Sequence, residues 1–145
     1  MSGEQPSAKV ASITVVSSSA KPEAKRAIDA ARIVATAVCL ARDWVNTPAN
    51  ALYPETFADA ARGAVKGTRI EVEVLDEKVL ERGGYGGLMA VGGGSDRGPR
   101  LVRFDYAPRG ARGHLALVGK GITFDTGGLN LKTADGMYTM KSDMA

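Results

Sequence analysis

The sequence predicts an α/β fold in which a mixed, mainly parallel sheet is flanked by helices. Stretches with apolar residues at helical spacing alternate along the chain with short runs rich in valine, isoleucine and leucine. This alternation is typical of helices that cover a mainly parallel sheet. Prolines and glycines stand between these stretches, where they end one element and begin the next.

The first half of the chain predicts a strand followed by a long helix. Residues 10–16 (VASITVV) form the strand, and the helix covers residues 21–45. Five residues at helical spacing form the apolar face of this helix: Ile28, Ala31, Ala35, Val38 and Ala41. The helix ends before Pro48, because the residue that precedes a proline disfavours the α conformation.

A second helix and a second strand follow. Pro54 suits the first position of the helix and Gly67 suits its carboxyl-terminal cap. Three residues would face inward: Phe57, Ala61 and Ala64. Residues 70–74 (IEVEV) alternate strictly and predict a half-buried strand. Asp76 can then cap a short helix that ends at Gly83 and Gly84.

Glycine dominates the next stretch, with seven glycines in residues 83–94. Their spacing does not match the dinucleotide-binding pattern, because Gly84-Tyr85-Gly86 is followed three residues later by Met89. We therefore expect close packing of the backbone here. Two further strands are predicted at residues 101–106 and 115–118 (LALV).

Composition and charge exclude several classes of protein. The chain has 44% hydrophobic and 24% charged residues, as soluble globular proteins do. Its net charge of +3 is too small to predict binding to nucleic acid or to an anionic membrane. The apolar run at residues 33–41 has nine residues, whereas about 20 are needed to span a bilayer.

The single cysteine and the amino terminus indicate a cytoplasmic protein. Cys39 has no second cysteine to pair with, which favours a reducing compartment, and we expect it to be a small buried thiol. Residues 1–12 contain no apolar core of the kind that a signal peptide has. Because the net charge is small and the apolar run is short, neither a membrane nor nucleic acid is expected as a partner.

The residues with potential chemistry follow the last predicted strand. Residues 119–132 (GKGITFDTGGLNLK) and 140–144 (MKSDM) combine glycines with lysines and aspartates, and open α/β sheets bind ligands in loops of this kind. A phosphate-binding loop is excluded by spacing, since Gly113 is one residue too far from Gly119-Lys120. Taken singly, each lysine or aspartate is better explained as a surface or turn residue, because such residues are usually exposed.

As an ordered set, these residues resemble a known family. Lys120, Asp125, Lys132 and Asp143 are separated by five, seven and eleven residues. With the surrounding GKGITFD and MKSDM, they closely resemble the signature of the leucyl (cytosol) aminopeptidase family. The resemblance extends back through residues 41–48 (ARDWVNTP) and covers about residues 20–145.

The resemblance implies a role for each residue. Lys120 corresponds to a metal ligand, Asp125 to a carboxylate that bridges two metal ions, and Asp143 to a further ligand. Lys132 corresponds to a catalytic lysine that contacts the substrate carbonyl. Met140 corresponds to a residue that lines the pocket for the amino-terminal side chain, although ordinary core packing would equally explain it.

These roles imply a metal-dependent aminopeptidase that releases unblocked N-terminal residues, preferably leucine, from peptides. Two divalent metal ions, Mn or Zn, would be the cofactors, and the subunits would form a homo-hexamer. Paired metal ions about 3.5–4 Å apart activate water and stabilise developing negative charge. Lys120 would bind a metal ion only as a neutral amine, whereas Lys132 would act as an ammonium.

The same resemblance predicts the domain organisation. Residues 1–18 would be the tail end of an amino-terminal domain, 19–47 a linking helix, and 48–145 the first part of a truncated catalytic domain. The family pattern continues with a segment, NTDAEGR, that brings further ligands and a catalytic arginine. We therefore expect activity only in the full-length protein. The alternative is a non-catalytic fragment that acts as a binding module, docking onto full-length subunits or contacting DNA.

Overall fold

The computed structural model describes residues 10–18 and 21–145. Their elements, in chain order, are α1 (Lys21–Asn46), α2 (Pro54–Ala64), β1 (Glu71–Leu75), α3 (Glu77–Arg82), α4 (Gly86–Gly92), β2 (Leu101–Asp105), α5 (Ala134–Tyr138) and a 3₁₀ helix (Met140–Met144). The chain forms two compact units, Met1–Cys39 and Leu40–Ala145. All the candidate site residues belong to the second unit.

Helix α1 confirms the predicted long helix, but its apolar face is not buried. Val38 is exposed, and so is Cys39, which we expected to be a buried thiol. The predicted strand at residues 10–16 is wrong, because this segment is exposed and forms no ladder with any strand in the described part of the chain. A strand needs a partner for its backbone groups. Residues 1–9, in the predicted amino-terminal tail, and 19–20, at the predicted start of the linking segment, lie outside the described residues.

Helix α2 begins at Pro54 as predicted and contributes to the core of the second unit. Ala58 and Ala61 are buried, whereas Ala64, which we expected to face inward, is exposed. Phe57 is half-buried and meets Trp44 edge to face, with ring centroids 5.2 Å apart. Aromatic pairs favour this arrangement because the positive edge of one ring faces the negative face of the other.

The sheet differs from the prediction. Within the described residues it has two strands, β1 and β2, which run antiparallel with Glu71 opposite Asp105 and Leu75 opposite Leu101. The mainly parallel sheet is therefore not observed. Residues 115–118 form no strand, and Leu117 and Val118 are 88% and 97% exposed. A parallel sheet is buried on both faces, whereas this segment is exposed and no described residue pairs with it.

The connection between the two strands contains both a confirmed and an unpredicted helix. Asp76 caps α3 as predicted, because its carboxylate accepts a hydrogen bond of 2.9 Å from the backbone N–H of Val79. Leu80 of this helix is fully buried. The glycine-rich stretch that follows contains α4, which the sequence did not predict. The expected close packing is present, since a Cβ on Gly92 would lie 2.7 Å from Pro99.

Within the described residues, no helix combines the length with the apolar composition that a membrane span requires.

Candidate metal centre

The loop that carries Lys120 and Asp125 packs on helix α2. A Cβ placed on Gly121 would lie 3.7 Å from the ring of Phe57. Because Phe57 is itself held against Trp44, the aromatic pair supports the backbone next to Lys120. The loop is therefore positioned by the same helix that contributes to the core.

A tight turn brings Lys132 back to Asp125. One oxygen of Asp125 accepts a 2.9 Å hydrogen bond from the backbone N–H of Gly127. The backbone N–H of Lys132 donates to the carbonyl of Thr126 at 3.0 Å, and Gly127 pairs with Leu131 in an antiparallel bridge. Gly127 has φ +90°, a backbone conformation that glycine adopts at no steric cost. The turn leaves Lys132 Nζ 3.5 Å from Asp125 Oδ2.

The short helices that follow bring Asp143 to the same place. Thr133 caps α5 by accepting a hydrogen bond from the backbone N–H of Gly136. The 3₁₀ helix then buries Met144, which fixes the turn that carries Asp143. Lys141 Nζ, from the same helix, donates a 3.1 Å hydrogen bond to the carbonyl of Thr123.

Lys120 lies between the two carboxylates. Its Nζ is 2.5 Å from Asp143 Oδ2 and 3.5 Å from Asp125 Oδ2. The contact with Asp143 is the main reason why the pKa of Lys120 is raised above its usual value. The hydrogen bond from Gly127 contributes most to lowering the pKa of Asp125, and the two neighbouring lysines lower it further. Burial lowers the pKa of Lys141.

The arrangement fits a divalent metal ion. The described residues contain no group of three or more His, Cys, Asp and Glu side chains that could hold a metal ion, so a donor set at this place would need the lysine nitrogen beside the two carboxylates. Asp143 Oδ2 is buried, and the Lys120 ammonium 2.5 Å away is the positive group that faces it. The ammonium of Lys120 thus stands where a cation is required. One nitrogen and two carboxylates suit zinc or manganese and leave coordination positions for other ligands.

Four of the five residues singled out from the sequence come together: Lys120, Asp125, Lys132 and Asp143. Met140 lies at the start of the 3₁₀ helix, three residues before Asp143, and is half-buried. Sequence reasoning missed two residues that shape this cluster. Gly127 could have been suspected from the Asp-Thr-Gly-Gly sequence, which is typical of a tight turn. The sequence contained no such indication for Lys141, because a lysine side chain usually places its ammonium group in solvent.

Comparison with known proteins identifies the family. Residues 39–145 match the catalytic domain of the cytosol aminopeptidase family. This chain belongs to the cytosol aminopeptidase family. The matched residues include the whole cluster, so the family resemblance inferred from Lys120, Asp125, Lys132 and Asp143 is confirmed.

Relatives in this family are similar over most of the chain. The "Probable cytosol aminopeptidase" of Cutibacterium acnes is 57% identical over 139 residues, which are 94% of this chain and 27% of that protein. The one from Micrococcus luteus is 51% identical over 136 residues, with the same two coverages of 94% and 27%. The chain thus spans about a quarter of the length of these curated relatives.

Solved structures of similar proteins share the fold. The bottromycin maturation enzyme BotP, in complex with Mn, is 42% identical and covers 86% of this chain, with a TM-score of 0.72; the match covers 27% of BotP. Leucyl aminopeptidase from Trypanosoma brucei, in complex with actinonin, is also 42% identical, with a TM-score of 0.66 over 72% of this chain and 20% of that one.

Proposed function

We propose that this chain is part of a metal-dependent aminopeptidase that releases unblocked N-terminal residues, preferably leucine, from peptides. The observation that carries the proposal is the convergence of Lys120, Asp125 and Asp143, with Lys132 beside them. Membership of the cytosol aminopeptidase family supports it, and so does the similarity to BotP, whose structure is a complex with Mn.

Lys120, Asp125 and Asp143 would hold the metal. Two divalent ions, Mn or Zn, would supply an activated water and polarise the peptide carbonyl. Asp125 suits a shared position, because its two oxygens already face different partners, the Gly127 N–H on one side and two lysines on the other. Lys120 would lose a proton when the metal binds. The metal ion would then supply the positive charge between the two carboxylates that the Lys120 ammonium supplies in its absence.

Lys132 would stabilise the reaction as an ammonium. Its side chain is 32% exposed and Nζ lies 3.5 Å from Asp125, so it is held at the edge of the metal centre while substrate can still reach it. An ammonium there would donate to the carbonyl oxygen as negative charge develops. Met140 would supply a flexible apolar wall for the N-terminal side chain. Its half-buried position is equally compatible with core packing.

The wider organisation belongs to the same proposal. Residues 48–145 would form the first part of the catalytic domain, residues 19–47 the linking helix, and 1–18 the end of an amino-terminal domain. The complete protein would be a cytoplasmic homo-hexamer that acts on peptides. Further ligands and a catalytic arginine would come from outside these 145 residues, so activity would require the complete protein.

A second candidate function is a non-catalytic docking module. The observation in its favour is the exposed apolar segment at residues 115–118, where Leu117 and Val118 face solvent almost completely. A segment of this kind could be covered by a subunit of a complete enzyme. The two candidates predict different results for the complete protein. The aminopeptidase should hydrolyse substrate, whereas a docking module should not.

Hydrolysis of leucine amide by the complete protein tests the proposal. With Mn²⁺ present, we expect release of ammonia from leucine amide, loss of this activity when a chelator is added, and its return when Mn²⁺ is restored. N-acetyl-leucine amide serves as the matched substrate without a free amine and should not be cleaved. Activity that resists the chelator, or equal cleavage of both substrates, would contradict the proposed function.

A further inference from the structure

Lys141 is a half-buried lysine that lies beside the metal centre and takes no part in it. It stands in the 3₁₀ helix, two residues before Asp143. Its ammonium donates to the carbonyl of Thr123, 18 residues earlier in the chain. Among the described residues no carboxylate lies within ion-pair distance of Lys141, so this carbonyl is the acceptor to which the half-buried charge is directed.

The contact links the two segments that supply the candidate ligands. Thr123 lies between Lys120 and Asp125 in the glycine-rich loop, whereas Lys141 and Asp143 lie in the 3₁₀ helix. Two polar contacts therefore join these segments, Lys120 with Asp143 and Lys141 with Thr123. Two contacts fix the orientation of one segment on the other, which a single contact leaves free.

Metal binding would affect the Lys120–Asp143 ion pair and the Lys141–Thr123 hydrogen bond differently. The ion pair between Lys120 and Asp143 uses atoms that would become ligands, so it cannot persist unchanged in the metal-bound protein. The hydrogen bond from Lys141 uses a backbone carbonyl and an amine outside the ligand set. It is compatible with both forms, and a charged donor makes such a bond stronger than a neutral one.

We propose that Lys141 is a positioning residue, which holds the loop of Lys120 and Asp125 in register with the helix of Asp143 and so sets the affinity of the site for divalent metal. The proposal rests on the proposed function, since it assigns those residues as ligands. Groups that orient metal ligands without touching the metal typically change its affinity about 10–100-fold when they are removed. That range is the effect expected here.

Metal binding by Lys141 variants of the complete protein tests the assignment. Lys141→Met keeps an unbranched side chain as far as Cε and removes the donor, whereas Lys141→Arg keeps a charged donor. Ser142→Ala is the matched control, because the hydroxyl of Ser142 bonds to Thr139 within its own segment and does not reach the loop. For each protein, the dissociation constant for Mn²⁺ is measured by competition with a chelator. Thermal unfolding of the metal-free form and kcat at saturating Mn²⁺ are measured beside it.

We expect Lys141→Met to bind Mn²⁺ about 10–100-fold more weakly, while its metal-free form unfolds close to the wild-type temperature. Excess Mn²⁺ should restore most of kcat, Lys141→Arg should regain much of the affinity, and Ser142→Ala should behave as wild type. Wild-type affinity in Lys141→Met would overturn the proposal. So would equal weakening in Ser142→Ala, or a metal-free Lys141→Met that fails to fold, since either result indicates a general structural role.

The same measurements separate this inference from the proposed function. A wild-type protein that binds Mn²⁺ and does not hydrolyse leucine amide would refute the function, while the ratio of Mn²⁺ affinities would still decide the role of Lys141. An active wild type with unchanged affinity in Lys141→Met would refute the inference alone. A wild type that binds no Mn²⁺ would refute both.

Discussion

Replacing Gly127 by alanine should disturb the turn that places Lys132 beside Asp125. Gly127 has φ +90°, and a Cβ added to it would lie 2.5 Å from the carbonyl oxygen of Asn130 and 3.1 Å from the backbone nitrogen of Lys132. Both neighbours are backbone atoms, so no flexible side chain can move aside. The backbone itself must shift, and the nearest bond to break is the one from the N–H of Lys132 to the carbonyl of Thr126.

The size of the effect follows from these contacts. Holding a residue other than glycine in such a conformation costs about 1–3 kcal/mol, and the lost hydrogen bond adds about 1 kcal/mol. Because the turn is exposed, it should rearrange locally while the rest of the domain remains folded. Lys132 would then leave Asp125, and the loss of one group that stabilises the oxyanion lowers kcat by as much as about 10²–10³-fold.

The neighbouring glycine provides the control for this experiment. A Cβ on Gly128 meets no atom within 4 Å, and its φ is not in the positive range. Steady-state hydrolysis of leucine amide with Mn²⁺ by the complete protein is the assay, with circular dichroism to verify folding. We expect kcat of Gly127→Ala to fall, by as much as about 10²–10³-fold if Lys132 is fully displaced, and kcat of Gly128→Ala to remain near wild type. Equal rates for the two variants would refute the role assigned to the turn.

Two further predictions concern folding and completeness. Asp76→Ala removes the cap of α3 and should lower the free energy of unfolding by about 1 kcal/mol in urea denaturation. The exposed Asp96→Ala is its control, and equal losses in the two would argue against the cap. The 145-residue chain alone should show no peptidase activity above background with Mn²⁺ or Zn²⁺, because it supplies only part of the proposed ligand set. A rate comparable to that of the complete protein would mean that the site lies elsewhere.

Elements with strong local signals were predictable from the sequence. Apolar residues at helical spacing over the long stretch before Pro48 predicted α1, and Pro54 marked the start of α2. The alternation of residues 70–74 predicted most of β1, and Asp76 marked the cap that follows it. Each of these depends on residues within one or two helical turns, so the sequence nearby contains the information.

Features that depend on distant partners were not predictable in the same way. The direction of β2 relative to β1 depends on how α3 and α4 return the chain, and residues 115–118 remain unpaired although their apolar pattern predicted a strand. Helix α4 forms in a glycine-rich stretch where Gly92 fits closely against Pro99, a contact that no local propensity indicates.

The sequence identified which residues form the candidate site but not how they are arranged in space. The spacing of Lys120, Asp125, Lys132 and Asp143 pointed to one family, which the comparison confirmed. That Lys120 lies between the two carboxylates depends on the 3₁₀ helix folding back onto the loop. The hydrogen bond from Lys141 to Thr123 depends on the same return of the chain.

The metal content of two lysine variants tests the central claim most directly. Lys120 is assigned as a neutral ligand, and Lys132 as a charged group beside the metal centre. In the complete protein, Lys120→Ala should lose metal and activity together. Lys132→Ala should retain its metal while kcat falls about 10²–10³-fold, and Lys132→Arg should restore little, because a planar fork does not replace a compact ammonium. If Lys132→Ala loses metal while Lys120→Ala keeps it, the two assignments are reversed and the account is wrong.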